Sequence, residues 1–112
     1  MAKFIFTKNY ENALARIEDY IFSATNSLDS VESFLDEHDK ALNFIGENPK
    51  TPAVHPVTGD QSWNFSDGRY RLFFRCVENQ DGVTVYLTHL IDNKEVNLDV
   101  YPNNKIPTYD ED

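Results

Sequence analysis

The first part of the chain changes from strand-like to helix-like spacing of its apolar residues. Residues 3–7, KFIFT, form a short run that predicts a β-strand, with Phe4 and Phe6 on one side and Ile5 on the other. Apolar residues then recur at three- and four-residue steps over 10–24 and again over 31–45. This spacing places each set on one face of a helix. The short link between the two segments predicts an antiparallel helical hairpin.

Polar residues next to these segments mark the predicted helix ends. Thr7 or Asn9 can cap the start of the first helix, because a short polar side chain there accepts a hydrogen bond from a free backbone N–H. Ser27 or Asp29 can cap the second helix in the same way. Gly46 is the predicted stop of the second helix, since glycine is common just past a helix end.

The second half of the chain reads as strands and turns. A loop with three prolines occupies 47–60, and candidate strands follow at 61–65, 69–77, 83–91 and 96–100. The predicted fold class is therefore α+β, with an N-terminal strand, a helical hairpin and a three- to four-stranded antiparallel sheet. One domain accounts for residues 1–112, and its acidic end, about 102–112, is expected to be frayed.

The longest candidate strand sorts its side chains by charge. Strand side chains alternate between faces, so two sets are separated: Tyr70, Leu72, Phe74 and Cys76 on one side, and Arg69, Arg71, Phe73 and Arg75 on the other. The next strand places Val83, Val85 and Leu87 opposite Thr84, Tyr86 and Thr88. If the apolar sets face the helices, three of the four arginines lie on the open face of the sheet.

Two interpretations of this arginine face remain open. The arginines pair with acidic neighbours, for which Asp67, Glu78 and Glu95 are candidates, or they bind an anion of a partner. Arginine suits the second role because its planar guanidinium binds phosphate or carboxylate with two parallel hydrogen bonds. Trp63 is expected to pack at the sheet edge, and anchoring a partner is its alternative role.

Composition narrows the classes of function. The formal net charge is −9 and the isoelectric point is near 4.6, which disfavours non-specific binding to nucleic acid. No apolar run has the roughly 18 residues of a membrane span, and the start of the chain does not resemble a signal peptide. Cys76 is the single cysteine and has no partner for an internal disulfide. These features predict a cytoplasmic protein.

The remaining chemistry-bearing residues form no recognisable site. Acidic residues and a histidine follow one another in Asp36–Asp39, where consecutive helical side chains diverge and cannot share one ion. His55 is expected to be an ordinary loop residue. Zinc-ligand spacing, a phosphate-binding glycine loop and a nucleophile elbow are missing from the sequence, so neither a metal nor a cofactor is predicted.

The strand region resembles the RelE/ParE toxin superfamily. The resemblance is carried by Gly68, the pair Tyr70-Arg71, the apolar LFF, the hairpin ENQDG and the strand VTVYLTHL. The preceding helical pattern and proline-containing loop fit as well, so the resemblance covers about residues 3–91. It implies a bacterial or phage-borne toxin of a type II toxin–antitoxin pair, which a cognate antitoxin wraps and blocks.

The resemblance implies candidate site residues for RelE-like chemistry. RelE-like members cut mRNA in the ribosome, where a 2′-hydroxyl attacks the neighbouring phosphate and needs proton transfer and cationic support. Arg71 matches the strand arginine, His89 is the candidate acid or base, and Tyr86 is the candidate stacking or proton-transfer group. Simple alternation, however, places His89 on the same side of its strand as Leu87, unless the strand bulges or ends first.

The departures from the RelE pattern favour a different activity. Phe65 stands where many members carry another arginine, and the end of the chain after His89 is acidic. A ParE-like inhibitor of DNA gyrase, or a member without toxicity, therefore fits better than a ribosome-dependent endoribonuclease. The rival hypothesis is a non-enzymatic binding module of the same fold, with homodimerisation through the last strand as one option.

Overall fold

The computed structural model describes residues 2–94. The elements follow in the order β1 (Lys3–Phe6), α1 (Lys8–Thr25), α2 (Leu28–Glu47), β2 (Gln61–Phe65), β3 (Tyr70–Asn79) and β4 (Gly82–Asp92). This order confirms the predicted α+β fold class. The strand expected over 96–100 and the acidic tail at about 102–112 lie outside the described residues.

The four strands form one mixed sheet in the order β1-β4-β3-β2. β2, β3 and β4 are antiparallel neighbours, as the sequence predicts. β1 pairs with β4 in parallel, with Lys3 opposite Thr84 and Phe6 opposite Leu87. Parallel neighbours need a long connection between them, which the two helices and the hairpin supply.

The ends of the helices show which of the candidate caps act. The Thr7 side chain accepts a hydrogen bond from the Tyr10 N–H, and the Ser27 side chain accepts one from the Ser30 N–H. The predicted stop at Gly46 is one residue too early, because α2 continues to Glu47. The carbonyl of Gly46 instead accepts a hydrogen bond from the Ala2 N–H at 3.0 Å.

The main core lies between the helices and one face of the sheet. Its buried residues come from α1 (Tyr10, Ala13, Ile17), α2 (Phe34, Ala41, Ile45) and the strands (Phe65, Tyr70, Leu72, Phe74, Val85, Leu87, Leu90). The predicted apolar faces of β3 and β4 therefore do meet the helices. The opposite face of the sheet, called the outer face below, carries the second set of β3 side chains.

Candidate functional site

A β-bulge in β4 changes which side chains reach the outer face. Phe73 pairs with His89 and Phe74 pairs with Leu87, so Thr88 is an extra residue on β4. An extra residue shifts the alternation of every position after it. Leu87 and Leu90 therefore both enter the core, and His89 lies on the outer face opposite Phe73. The bulge is the exception to simple alternation that separates His89 from the side of Leu87.

The loop at 48–60 covers the part of the outer face around Phe73. The His55 ring packs edge-on against the Phe73 ring, with 5.3 Å between the ring centres. Phe73 is fully buried, and His89 is only 2% exposed. The sequence predicts an open face here, and this prediction is wrong, because a loop made of distant residues folds back over the strands.

Asp60 holds the end of this loop against the sheet. Its carboxylate accepts hydrogen bonds from Arg75 Nε at 2.7 Å and from the Thr88 hydroxyl at 2.9 Å. Its backbone carbonyl accepts a third from the His55 N–H at 2.7 Å. The Asp60 side chain is 0% exposed. A buried carboxylate with charged and neutral donors joins the loop to both β3 and the bulge of β4.

The three arginines are not on one face. Ser66, Asp67 and Gly68 have left-handed backbone conformations, and this turn places Arg69 before β3 begins. Arg69 donates hydrogen bonds from Nε and Nη2 to the two carboxylate oxygens of Asp92, at 2.7 and 2.8 Å. It lines a groove on the helix side together with residues of α1 and α2. The prediction of a shared arginine face is therefore wrong for Arg69.

The acidic partners also differ from the predicted ones. Arg69 pairs with Asp92 and Arg75 with Asp60, while Glu78 accepts from Lys50 at 3.0 Å. Glu95, the third predicted partner, lies outside the described residues. The pairing interpretation thus holds for two of the arginines, with carboxylates that the alternation pattern did not identify.

Arg71 differs from the other two arginines of this region. Its Nη1 donates to the Ser62 hydroxyl at 2.7 Å, and its Nε is buried without a hydrogen-bond partner. Among residues 2–94, no carboxylate forms an ion pair with it. It lines a groove of about 550 Å³ on the outer face, together with His55, Ser62 and Asn64.

Burial and neighbouring charge keep the histidines near these groups neutral. Burial lowers the pKa of His55, and the positive charge of Arg71 lowers it further. His55 Nδ1 accepts a hydrogen bond from the Val57 N–H at 3.1 Å, which fits the neutral ring. In the core, burial also lowers the pKa of His38, whose Nε2 lies 2.6 Å from the Tyr10 hydroxyl.

The pKa of Asp92, the carboxylate that binds Arg69, is shifted in the direction opposite to the one that burial causes. Burial by itself raises the pKa of Asp92, but hydrogen bonds from Arg69 and from the Lys94 N–H outweigh it. The net pKa of Asp92 is therefore lowered. The same hydrogen bond raises the pKa of Arg69. Asp92 and Arg69 form a charged pair that fixes the start of β3 beside the end of β4.

Comparison with protein families identifies the fold described here. Residues 4–94 match the family model of the ParE toxin of the type II toxin–antitoxin system, parDE. The chain belongs to the ParE toxin family. The match spans nearly all of the described residues, and toxins of this family pair with a cognate ParD antitoxin. A comparison with curated proteins returns no match.

The candidate catalytic residues of this ParE-family chain do not form an open site. Arg71, Tyr86 and His89 all lie on the outer face, and Tyr86 is half-buried opposite Arg75. His89 is buried, and its ring lies edge-on to that of Phe73, with 6.3 Å between the ring centres. The partner-binding candidates are divided as well, since Trp63 stacks on Phe44 on the helix side, with 4.6 Å between ring centres.

Sequence reasoning missed Asp60 and Thr88 as organising residues of this ParE-family fold. An aspartate that follows a glycine at the end of a loop looks like ordinary turn chemistry. The signal that could have identified Asp60 was the nearby strand of arginines, because closely spaced arginines need carboxylates near them. Within residues 2–94, the structure contains no group of three or more His, Cys, Asp or Glu side chains arranged to hold a metal ion. It likewise contains no helix long and apolar enough to span a membrane.

Proposed function

We propose that this ParE-family toxin acts by binding DNA gyrase rather than by cutting mRNA, and that a ParD antitoxin neutralises it by binding its surface. The observation that carries the proposal is the covered outer face. Cleavage of RNA needs cations and a proton-transfer group that converge on one accessible phosphate. Here His89 is 2% exposed, and the guanidinium groups of Arg69 and Arg75 are bound to internal carboxylates.

The overall charge of the chain also favours a protein target over RNA. A chain with a net charge of −9 is repelled by the dense phosphates of ribosomal RNA and mRNA. Ribonucleases that work within the ribosome need basic surface to approach their substrate. Binding to a protein does not require that surface, because shape and apolar contacts can supply the affinity.

Expression without the antitoxin tests the proposal. We expect growth arrest and induction of an SOS reporter, because blocked gyrase leaves broken DNA. We expect no cleavage of mRNA at codons. The matched variants are Tyr86→Phe, which removes the hydroxyl of a candidate proton-transfer group, and Tyr20→Phe, which removes one from an exposed helix residue. Both are expected to arrest growth like the parent chain.

A ribonuclease gives a different result in the same experiment. A ribonuclease that uses the Tyr86 hydroxyl loses about 100-fold or more of its activity in Tyr86→Phe and keeps it in Tyr20→Phe. Growth arrest with mRNA cut at codons and no SOS response contradicts the proposal. Normal growth at confirmed expression leaves the non-toxic binding module as the better description.

A further inference from the structure

The outer edge of β2 is only partly occupied. The Ser62 N–H donates to the Ala53 carbonyl at 3.1 Å, and Val54 forms a bridge with Gln61, so the loop pairs with the first residues of β2. Backbone groups alternate in direction along a strand. Because Ser62 points its N–H away from β3, Asn64 points its N–H and carbonyl the same way.

The pairing along this edge stops before Asn64. Among the described residues, the backbone of Asn64 has no hydrogen bond on the side away from β3. The side chain of Asn64 lies on the outer face, directly across from Arg71 in the neighbouring strand. An unpaired backbone position at a sheet edge is a template for an added strand. Within residues 2–94, the open position therefore lies beside the arginine that has no carboxylate partner.

Arg71 has donors to spare at this position. A guanidinium group has five N–H donors, and the one hydrogen bond of Arg71 to a described residue is the Nη1 bond to Ser62. The neighbouring imidazole of His55 cannot supply a negative charge. Arg69 and Arg75, the other two arginines of the region, each have a carboxylate oxygen 2.7 Å from Nε.

The groove beside Arg71 also offers apolar contact. Val54 and Pro56 line it together with the polar groups. Val54 is 61% exposed, which is high for a valine next to a strand. A segment lying along Asn64 can pack apolar side chains on this surface while a carboxylate reaches the guanidinium.

We propose that the open end of the β2 edge binds an extended, acidic segment of a partner protein, which adds as a strand at Asn64 and places a carboxylate on Arg71. Added strands gain affinity from backbone hydrogen bonds and specificity from side-chain contacts. A carboxylate suits Arg71 better than a nucleic-acid phosphate does, because a single side-chain charge is not opposed by the −9 net charge as a polyanion is.

A peptide titration followed by NMR tests this site directly. The probe is the acetylated and amidated pentapeptide VTEVT, used up to about 10 mM so that millimolar dissociation constants are measurable. The control peptide is VTQVT, which has the same shape without the charge. We expect the amide signals of Ser62 and Asn64 to shift, with VTEVT binding at least about tenfold more tightly than VTQVT.

Two matched variants connect the preference to Arg71. Arg71→Gln is expected to bind both peptides equally, while Arg16→Gln, which removes the same charge from an exposed position of α1, keeps the tenfold preference. Folding of each variant is checked from its dispersed NMR spectrum. If Arg71→Gln does not fold, Arg71→Lys takes its place, since it keeps the charge and loses the planar fork; it is expected to bind VTEVT less tightly than the parent chain.

Three results overturn the proposal. The first is the absence of shifts at Ser62 and Asn64 at the highest peptide concentration. The second is equal binding of VTEVT and VTQVT to the parent chain. The third is tighter binding of a five-nucleotide single-stranded RNA at the same residues, which identifies a nucleic-acid surface instead. None of these measurements uses toxicity, so they stand apart from the gyrase experiment.

Discussion

Asp60 is the residue whose replacement most sharply tests the covered outer face. Asp60→Asn keeps the shape of the side chain but replaces one acceptor oxygen by an NH2 group. The Arg75 Nε then meets a neutral amide instead of a carboxylate, and the Thr88 hydroxyl keeps a second acceptor, the Phe73 carbonyl at 3.2 Å. The variant therefore removes the charge-assisted part of the hydrogen bond to Arg75.

The expected loss of stability can be estimated from these contacts. A hydrogen bond to a charged group contributes about 1.5–3 kcal/mol. The Arg75 side chain is 51% exposed, so solvent screening reduces this contribution. We expect the free energy of unfolding to fall by about 1–2 kcal/mol, and the Tm by about 5–15 °C for a domain of this size.

Urea denaturation measures this change through two probes. Fluorescence of Trp63, which stacks on Phe44, reports the packing on the helix side, and far-UV circular dichroism reports the backbone. The matched control is Asp67→Asn, because Asp67 is exposed and its left-handed backbone suits asparagine. A loss for Asp60→Asn within about 0.5 kcal/mol of that control refutes the structural role assigned to Asp60.

Three further outcomes follow from the same contacts. Because burial lowers the pKa of His38 and His55, the unfolded chain binds more protons than the folded chain below about pH 6.5. The free energy of unfolding is therefore expected to fall as the pH drops from 6.5 to 5. Urea titrations across this range measure the fall, which is expected to be shallower with pH in His38→Gln. Gly82→Ala should cost about 1 kcal/mol or more in a melting experiment, since its φ is 120° and an added Cβ meets open space, which leaves backbone strain as the cause; an unchanged Tm contradicts this. Arg69→Gln leaves the buried carboxylate of Asp92 unpaired and should cost about 2 kcal/mol by urea denaturation; a loss below about 0.5 kcal/mol shows that the pair contributes little.

The elements of this fold were predictable because their signals are local. The three- and four-residue spacing of apolar residues identified both helices, and Thr7 and Ser27 were among the residues expected to cap them. Alternation in β3 correctly assigned Leu72 and Phe74 to the core. Such patterns depend on neighbours within one or two turns of a helix or a few residues of a strand.

The site was less predictable because it depends on contacts between distant residues. The bulge at Thr88 adds one residue to β4, and no alternation rule contains that information. Asp60 and Arg75 are 15 positions apart and meet because a loop without regular structure folds back over the sheet. The turn before Arg69 similarly directs that side chain to the helices. Each of these features changes which side chains are accessible, and accessibility decides the candidate chemistry.

The separation of the three arginines carries the functional interpretation. Arg69 and Arg75 each form an ion pair with an internal carboxylate, Asp92 and Asp60, with which a scissile phosphate has to compete. Arg71 is the member of the group that retains free donors among the described residues. One cation beside an open strand edge suits recognition of a protein segment better than it suits phosphate chemistry.

We propose that this ParE-family toxin acts on DNA gyrase and not on RNA. The most direct measurement is a supercoiling assay with purified gyrase, relaxed plasmid and increasing amounts of the purified chain. We expect supercoiling to decrease as the chain is added, with the Tyr86→Phe variant inhibiting equally well. Undiminished supercoiling at a large molar excess of a folded chain that stops growth in cells contradicts the claim.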